Sequence, residues 1–143
     1  MKNFVTILIV VTIFASCQPT KYTIKPGVSL NAFMYVYIEP LAEDPHNTHS
    51  YLSSLFRKEG FKVISKGKQE SFPLDEQSKV LERKYRYIDT YRGTGVYIRL
   101  SEKLTRSTIF TGADEYKDDD KKTEAYGAVR KAFAAIANVY TRY

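Results

Sequence analysis

The sequence predicts an α+β fold, a two-layer sandwich in which one mixed sheet of about five strands carries two helices on one face. Three observations support this class. Short segments rich in aromatic and β-branched residues show the alternating pattern of half-buried strands. Two other segments place apolar residues at helical spacing. The resulting order along the chain, β-α-β-β-β-β-α, is most simply satisfied when both helices cover the same face of a single sheet.

The first half of the chain is predicted to contain a strand, a helix and a second strand. Residues 33–38 are apolar on both sides, which is typical of a central strand. Asp44 suits the N-cap of the following helix, and Asn47 or Thr48 is the alternative start. A glycine after the last helical turn supplies a left-handed cap, and a short strand over residues 61–64 follows.

The second half is predicted to contain a meander of strands and a long helix. Residues 65–79 are polar and predict a surface loop. The later segments are, in order, strands over 80–89, 94–100 and 107–113, a charged loop over 114–122 and an amphipathic helix over 123–143. In the first of these strands, one predicted face carries Leu81, Arg83, Tyr85 and Tyr87, and the other carries Glu82, Lys84, Arg86 and Ile88.

The amino terminus has the pattern of an export signal rather than of a structural element. Lys2 precedes the largely apolar residues 4–17. That run is too short to span a bilayer, since a spanning helix needs roughly 20 apolar residues. The run ends in Phe14-Ala15-Ser16-Cys17, and Cys17 is the only cysteine of the chain. These four residues resemble the lipobox of bacterial lipoproteins.

The resemblance implies a lipid anchor. A signal peptidase would remove residues 1–16, the Cys17 thiol would carry a diacylglycerol, and the new amino group would carry a further acyl chain such as palmitate. Three chains hold a protein on a membrane far more firmly than one. Residues 17–32 would then form a lipidated tether, and residues 33–143 a single domain. No acidic cluster follows Cys17, which favours an outer-membrane lipoprotein that faces the periplasm.

The predicted layout of residues 30–143 is similar to that of small α/β envelope lipoproteins, such as those with the domain of unknown function DUF4136. The likeness lies in the order of the elements and in two stretches, Gly95-Val96-Tyr97-Ile98-Arg99-Leu100 and Ile109-Phe110-Thr111-Gly112. Proteins of this kind have no assigned chemistry. The resemblance therefore implies a fold and a place in the cell envelope, and no particular reaction.

The chain is basic, with 22 Lys and Arg against 16 Asp and Glu and a formal net charge of +6. Such a charge favours nucleic acid, anionic lipid or acidic polymers as partners. The run Arg83-Lys84-Tyr85-Arg86-Tyr87 is the segment that would bind nucleic acid, but export argues against that partner. We therefore expect contact with the membrane through the lipid and with an envelope protein or polysaccharide, and no nucleic acid.

One face of the predicted sheet combines tyrosines with cations. Because Val96, Ile98 and Leu100 are predicted to face the helices, their neighbours Tyr97 and Arg99 should face away. The predicted binding residues on this side are Tyr35, Tyr37, Lys84, Arg86, Tyr97 and Arg99. Tyrosine planes with interleaved cations suit sugar rings, anionic polymers or a partner protein. The alternative is that these side chains pack on one another or beneath residues 65–79.

Signals for catalysis are weak, and we expect no catalytic residues, no cofactor and no metal. His46 and His49 have the spacing of two ligands on one helix, yet no further histidine or free cysteine completes a site. The acidic loop over residues 114–120 lacks the spacing and central glycine of a calcium loop. We expect a non-enzymatic accessory protein. The alternative is a small envelope hydrolase that uses His46, His49 or the acidic loop.

Overall fold

Six strands and four α-helices form the parts of the chain that the computed structural model describes, residues 21–90 and 93–139. The strands are β1 (Lys21–Ile24), β2 (Tyr35–Ile38), β3 (Lys62–Ile64), β4 (Val80–Thr90), β5 (Gly93–Glu102) and β6 (Thr108–Tyr116). The helices are α1 (Thr48–Lys58), α2 (Lys66–Glu70), α3 (Leu74–Gln77) and α4 (Lys121–Val139), with a 3-10 turn at Leu30–Ala32.

The strands form one mixed sheet in the spatial order β1-β6-β5-β4-β2-β3. β2 lies parallel to both β3 and β4, whereas β4, β5, β6 and β1 pair antiparallel. The predicted α+β class and the mixed sheet are confirmed. The predicted count of five strands and the predicted order are wrong, because the structure adds β1 at one edge and two short helices before β4.

β1 lies in the segment that the sequence assigned to a tether, residues 17–32. Tyr22 pairs with Gly112 and Ile24 with Phe110, so β1 covers the Phe110–Ala113 part of β6. Without β1 this part of β6 would be an open sheet edge, which folded proteins tend to cover. Four residues are too few for an alternating pattern to be recognised, and the sequence therefore predicted only a tether here.

The start of one helix and the end of one strand differ from the prediction. α1 begins at Thr48, after Asn47 in the left-handed region at φ 53°, so the alternative start is correct. Asp44 nevertheless accepts from the backbone N–H groups of Thr48 and His49, both at 2.8 Å, and caps the helix from outside. β6 runs on to Tyr116 and thus takes up the first part of the predicted charged loop.

α1 and α4 lie side by side on one face of the sheet and enclose the core. The rings of Phe56 and Phe133 meet edge to face at 4.9 Å, and those of Tyr51 and Tyr126 stack at 4.2 Å. Small side chains let α4 approach the sheet closely, and three of its alanines are buried, namely Ala128, Ala132 and Ala135. Among the described residues, no helix has the length and apolar character needed to cross a bilayer.

Candidate functional site

The sheet face opposite α1 and α4 carries the predicted binding residues. In the β4–β5 pairing, Lys84 lies opposite Arg99 and Arg86 opposite Tyr97. Their chain neighbours, such as Ile98 and Leu100, are fully buried on the helix side. Strand alternation therefore directs all six predicted residues away from the two long helices, Tyr35, Tyr37, Lys84, Arg86, Tyr97 and Arg99. We call this side the open face.

The α2–α3 segment covers the β2 end of the open face. The ring of Phe72 packs against that of Tyr35 with centroids 4.9 Å apart. The Glu76 carboxylate near the Tyr35 hydroxyl raises the pKa of that phenol. Val80, which pairs with Tyr35 in the parallel register, is fully buried here. Tyr35 is thus partly engaged in local packing, as the alternative interpretation of the sequence allowed.

A charged groove runs across the open face from α2 to β6. Its larger part has a volume of about 420 Å³ and is lined by Tyr37, Glu39, Lys66, Glu70, Glu82, Arg83, Lys84, Lys103 and Arg106. A second part of about 200 Å³ continues from Glu82, Lys84 and Arg106 to Arg99, Ser101 and Thr108. Burial raises the pKa of Tyr37 at its wall, and the carboxylates Glu39, Glu82 and Glu70 add to that shift.

Ion pairs fix some of the charges in the groove. Lys84 Nζ lies 3.3 Å from Glu39 Oε2, and Arg106 Nη1 donates to Glu82 Oε2 at 2.7 Å. Arg106 reaches the groove from the β5–β6 connection, where its φ of 59° is left-handed. Arg106, Glu82 and Lys66 were not predicted as binding residues, because they come from a connection, a strand and a short helix that only the folded chain brings together.

The centre of the open face has an excess of positive charge. Lys84 and Arg99 are like charges directly opposite each other on neighbouring strands, an arrangement that destabilises a sheet. Arg86 lies over the Tyr97 ring, with Cζ 5.4 Å from the centroid. Arg99 is exposed and has no ion pair within residues 21–90 and 93–139. This part of the face can accept an anionic group beside an aromatic plane.

The groups of the hydrolase alternative are engaged elsewhere. His49 points beneath α1, where burial lowers its pKa and the neighbouring Arg83 lowers it further. His46 is close enough to Asp120 to help lower the pKa of that carboxyl, although hydrogen bonds from Thr123 are the main cause. Asp120 Oδ2 caps α4 by accepting from Thr123 N at 2.7 Å. No group of three or more potential metal ligands is present in the described part of the chain.

The basic run from Arg83 to Tyr87 does not form a continuous surface. Arg83 and Tyr85 are buried on the helix side, whereas Lys84 and Arg86 lie exposed on the open face. The segment therefore presents two cations, separated by one residue, and not five interleaved groups. Cys17 and the rest of the lipobox-like motif lie outside the described residues, and lipidation stays a prediction.

The described sheet and helices define an α+β two-layer protein with one face covered by its two long helices. Two solved structures share this fold. The PelC dodecamer from Paraburkholderia phytofirmans matches with a TM-score of 0.52 and 18% identity, covering 86% of this chain and 99% of that chain. A single-residue PelC variant from the same organism, also a dodecamer, matches with a TM-score of 0.51 and 16% identity, covering 85% and 99%.

The likeness to PelC concerns the fold, since the sequences are less than one-fifth identical. No family model matches the chain, and no curated protein matches it. The resemblance to DUF4136-type lipoproteins therefore stays a prediction from the sequence.

Proposed function

We propose that this protein is a lipid-anchored, non-enzymatic component of the cell envelope whose open face binds an anionic envelope polymer. The observation that carries the proposal is the unfavourable pairing of Lys84 with Arg99 beside the Arg86–Tyr97 contact. An anionic ligand removes the repulsion between the two cations, and the tyrosine ring offers a plane for a sugar.

The form of the groove supports an extended ligand. It runs from the α2 wall to β6, and its two parts share Glu82, Lys84 and Arg106. A chain of linked sugars can follow such a groove, whereas a flat protein surface contacts only its rim. The carboxylates of Glu39 and Glu82 already pair with two of the cations, so we expect the ligand to contact mainly Arg86 and Arg99.

Self-association is the second candidate use of the open face. The two PelC structures are described as dodecamers, and they share the fold of this chain. If copies of this protein assemble, the open face is the surface with the least internal cover. An envelope protein complex would be recognised by the same exposed groups, and the measurement below separates these possibilities.

The first prediction concerns the double variant Arg86→Gln/Arg99→Gln. With two cationic contacts of about 1 kcal/mol each lost, binding to an anionic polysaccharide should weaken roughly 30-fold. The measurement is affinity electrophoresis of the detergent-solubilised protein in gels that contain polygalacturonate or, as a neutral polymer, dextran. Retardation of the wild type by polygalacturonate should fall as salt is added.

The matched control is Arg57→Gln/Arg130→Gln, which removes two exposed cations from the helix layer. It changes the net charge equally and should keep wild-type retardation. Equal losses in both double variants would show that only net charge matters and would contradict the proposal. Light scattering on the same samples reports the mass, and a change of mass in Arg86→Gln/Arg99→Gln alone would assign the face to self-association instead.

A further inference from the structure

Six buried side-chain polar atoms in the described part of the chain have no hydrogen-bond partner, and all belong to four side chains beneath the start of α1. They are Nε, Nη1 and Nη2 of Arg83, Nδ1 of His49, and the hydroxyl oxygens of Tyr85 and Tyr87. We call these four side chains the Arg83 cluster. Buried polar groups are normally satisfied, so four neighbouring exceptions need a physical explanation.

Arg83 lies at the centre of the cluster and is 0% exposed. Its Cζ is 4.2 Å from the centroid of the Tyr85 ring and 5.7 Å from that of Phe56. The ring faces attract the cation, but the guanidinium carries five N–H donors that require oxygen or anion acceptors. Removing such a group from water without an acceptor is costly. The described chain supplies no acceptor, which indicates one from outside it.

The surroundings of Arg83 leave one uncompensated positive charge. Burial is the main cause that lowers the pKa of Arg83, to about 9, so the group remains charged at neutral pH. Burial also lowers the pKa of His49, which keeps that ring neutral. The Asp44 carboxylate, whose charge acts on His49 and on both phenols, accepts from Thr48 N, Thr48 Oγ1 and His49 N at 2.7–2.8 Å and is directed to the helix terminus.

The two phenols add donors on the same side of β4. The Tyr85 and Tyr87 rings lie edge to face with centroids 6.0 Å apart. Burial raises the pKa of both hydroxyls, so they stay protonated and able to donate. The Thr48 hydroxyl donates to Asp44 Oδ1, and its oxygen lies near both phenols, where hydrogen bonding to it partly offsets the effect of burial on their pKa. A cation, two phenol donors and a neutral imidazole form a site suited to a single negative charge.

We propose that the Arg83 cluster binds one small monovalent anion, a halide or a carboxylate group, which enters when the first turn of α1 moves away from the sheet. The single net charge favours a monovalent ligand. The enclosure of all six atoms requires that the ligand be small and that one wall yield. The first turn of α1 covers the cluster, since Thr48 and His49 belong to it. The turn follows Asn47, whose φ of 53° lies in the left-handed region and marks the change of chain direction before the helix.

The test uses the full-length protein in detergent and follows its Tm in sodium chloride, sodium acetate and sodium gluconate at equal ionic strength. Gluconate serves as the bulky anion that the site should exclude. Chloride or acetate should raise the Tm by roughly 4–6 °C for each tenfold increase above its dissociation constant. The larger of the two increments identifies whether the site prefers a halide or a carboxylate.

The variant Arg83→Met replaces the guanidinium by a shorter, unbranched apolar side chain and removes every donor. It should lose the rise in Tm specific to chloride or acetate, and its Tm in gluconate should equal or exceed that of the wild type, because an unpaired buried charge is gone. Arg130→Met, which removes an exposed cation of α4, is the matched control and should keep the rise. Equal anion responses in the wild type and Arg83→Met would overturn the proposal.

Crystals of the wild-type protein soaked in sodium bromide give a test that does not depend on the folding of the variant. Anomalous density in contact with the Arg83 guanidinium supports the site. A guanidinium with no bromide beside it at saturating salt, and with no acetate beside it after a matched soak in sodium acetate, overturns it.

Discussion

Glu124 is an acidic side chain that joins the first turn of α4 to the sheet, and its exposed fraction is only 2%. Its Oε1 accepts from Thr94 Oγ1 at 2.6 Å and from Lys121 Nζ at 3.0 Å, and its Oε2 accepts from Asp118 N at 3.2 Å. These bonds, the one from Thr94 first, lower the pKa of Glu124 from 4.5 to about 2.

The lowered pKa of Glu124 predicts a specific loss of stability in acid. Because the folded pKa lies below the unfolded one, the contribution is complete above pH 4.5 and is lost as the pH falls from 4.5 through about 2. Glu124→Gln should lower the Tm at pH 7 and flatten the dependence of the Tm on pH within that window. Thermal unfolding from pH 7 to pH 2 measures both effects.

Thr94→Val is the control for the Glu124 prediction, because it removes the strongest hydrogen bond and keeps the titrating group. Because its folded pKa lies closer to 4.5, the acid loss of stability should be smaller than in the wild type and should be complete at a higher pH. The same Tm profile for Glu124→Gln and the wild type below pH 4.5 would contradict the assignment of this acid transition to Glu124.

At the scale of elements, the packing of α4 on β6 depends on a glycine inside the helix. A Cβ at Gly127 would overlap the ring of Tyr116, the last residue of β6. Lys131 lies one helical turn after Gly127, and its Nζ is 5.5 Å from the centroid of the same ring. The glycine therefore makes room for an aromatic contact at the expense of helix propensity.

Gly127→Ala should destabilise the protein although alanine favours a helix. The propensity gain is about 1 kcal/mol, whereas overpacking against an aromatic ring costs typically about 1–3 kcal/mol. We expect a net loss of up to about 2 kcal/mol in the free energy of unfolding, measured by urea denaturation. Gly67→Ala is the matched control, since a Cβ there meets nothing within 4 Å in α2, and it should be neutral or stabilising.

How well an element could be predicted from the sequence depended on its length. The alternation of residues 94–100 and the helical spacing of residues 123–139 extend over enough positions to define a period, and β5 and α4 were found. β1, α2 and α3 have four or five residues each, and partners distant in sequence stabilise them. Local pattern contains no information about such contacts, as the pairing of β1 with β6 illustrates.

At the scale of the whole molecule, alternation predicted which residues share the open face but not the shape of that face. Lys84, Arg86, Tyr97 and Arg99 follow from two strands and one register. The groove also needs Arg106 from a connection and Lys66 from a short helix, and their approach depends on tertiary folding. The alternating pattern correctly grouped Arg83 with Leu81 and Tyr85, on the face opposite Lys84. It gave no sign that the charge of Arg83 would lack a partner there.

Membrane attachment is tested by Cys17→Ala. In the wild type we expect labelling by radioactive palmitate and retention in the membrane fraction through washes without detergent. The variant should lose both, because no thiol remains to carry the lipid. Arg99→Gln, which leaves the amino terminus intact, should keep label and retention. A wild-type protein that starts at a residue other than Cys17, or that washes off freely, would contradict lipid anchoring.

The early position of β1 limits the reach of the anchored domain. Sheet pairing begins at Lys21, so a lipid on Cys17 would be only four residues away from the folded body. Four extended residues span at most about 14 Å. The domain would be confined to a thin layer beside the head groups, with the β1 edge nearest the bilayer. A ligand farther out in the envelope would have to extend towards the protein, since so short a linker does not let the domain move away from the membrane surface.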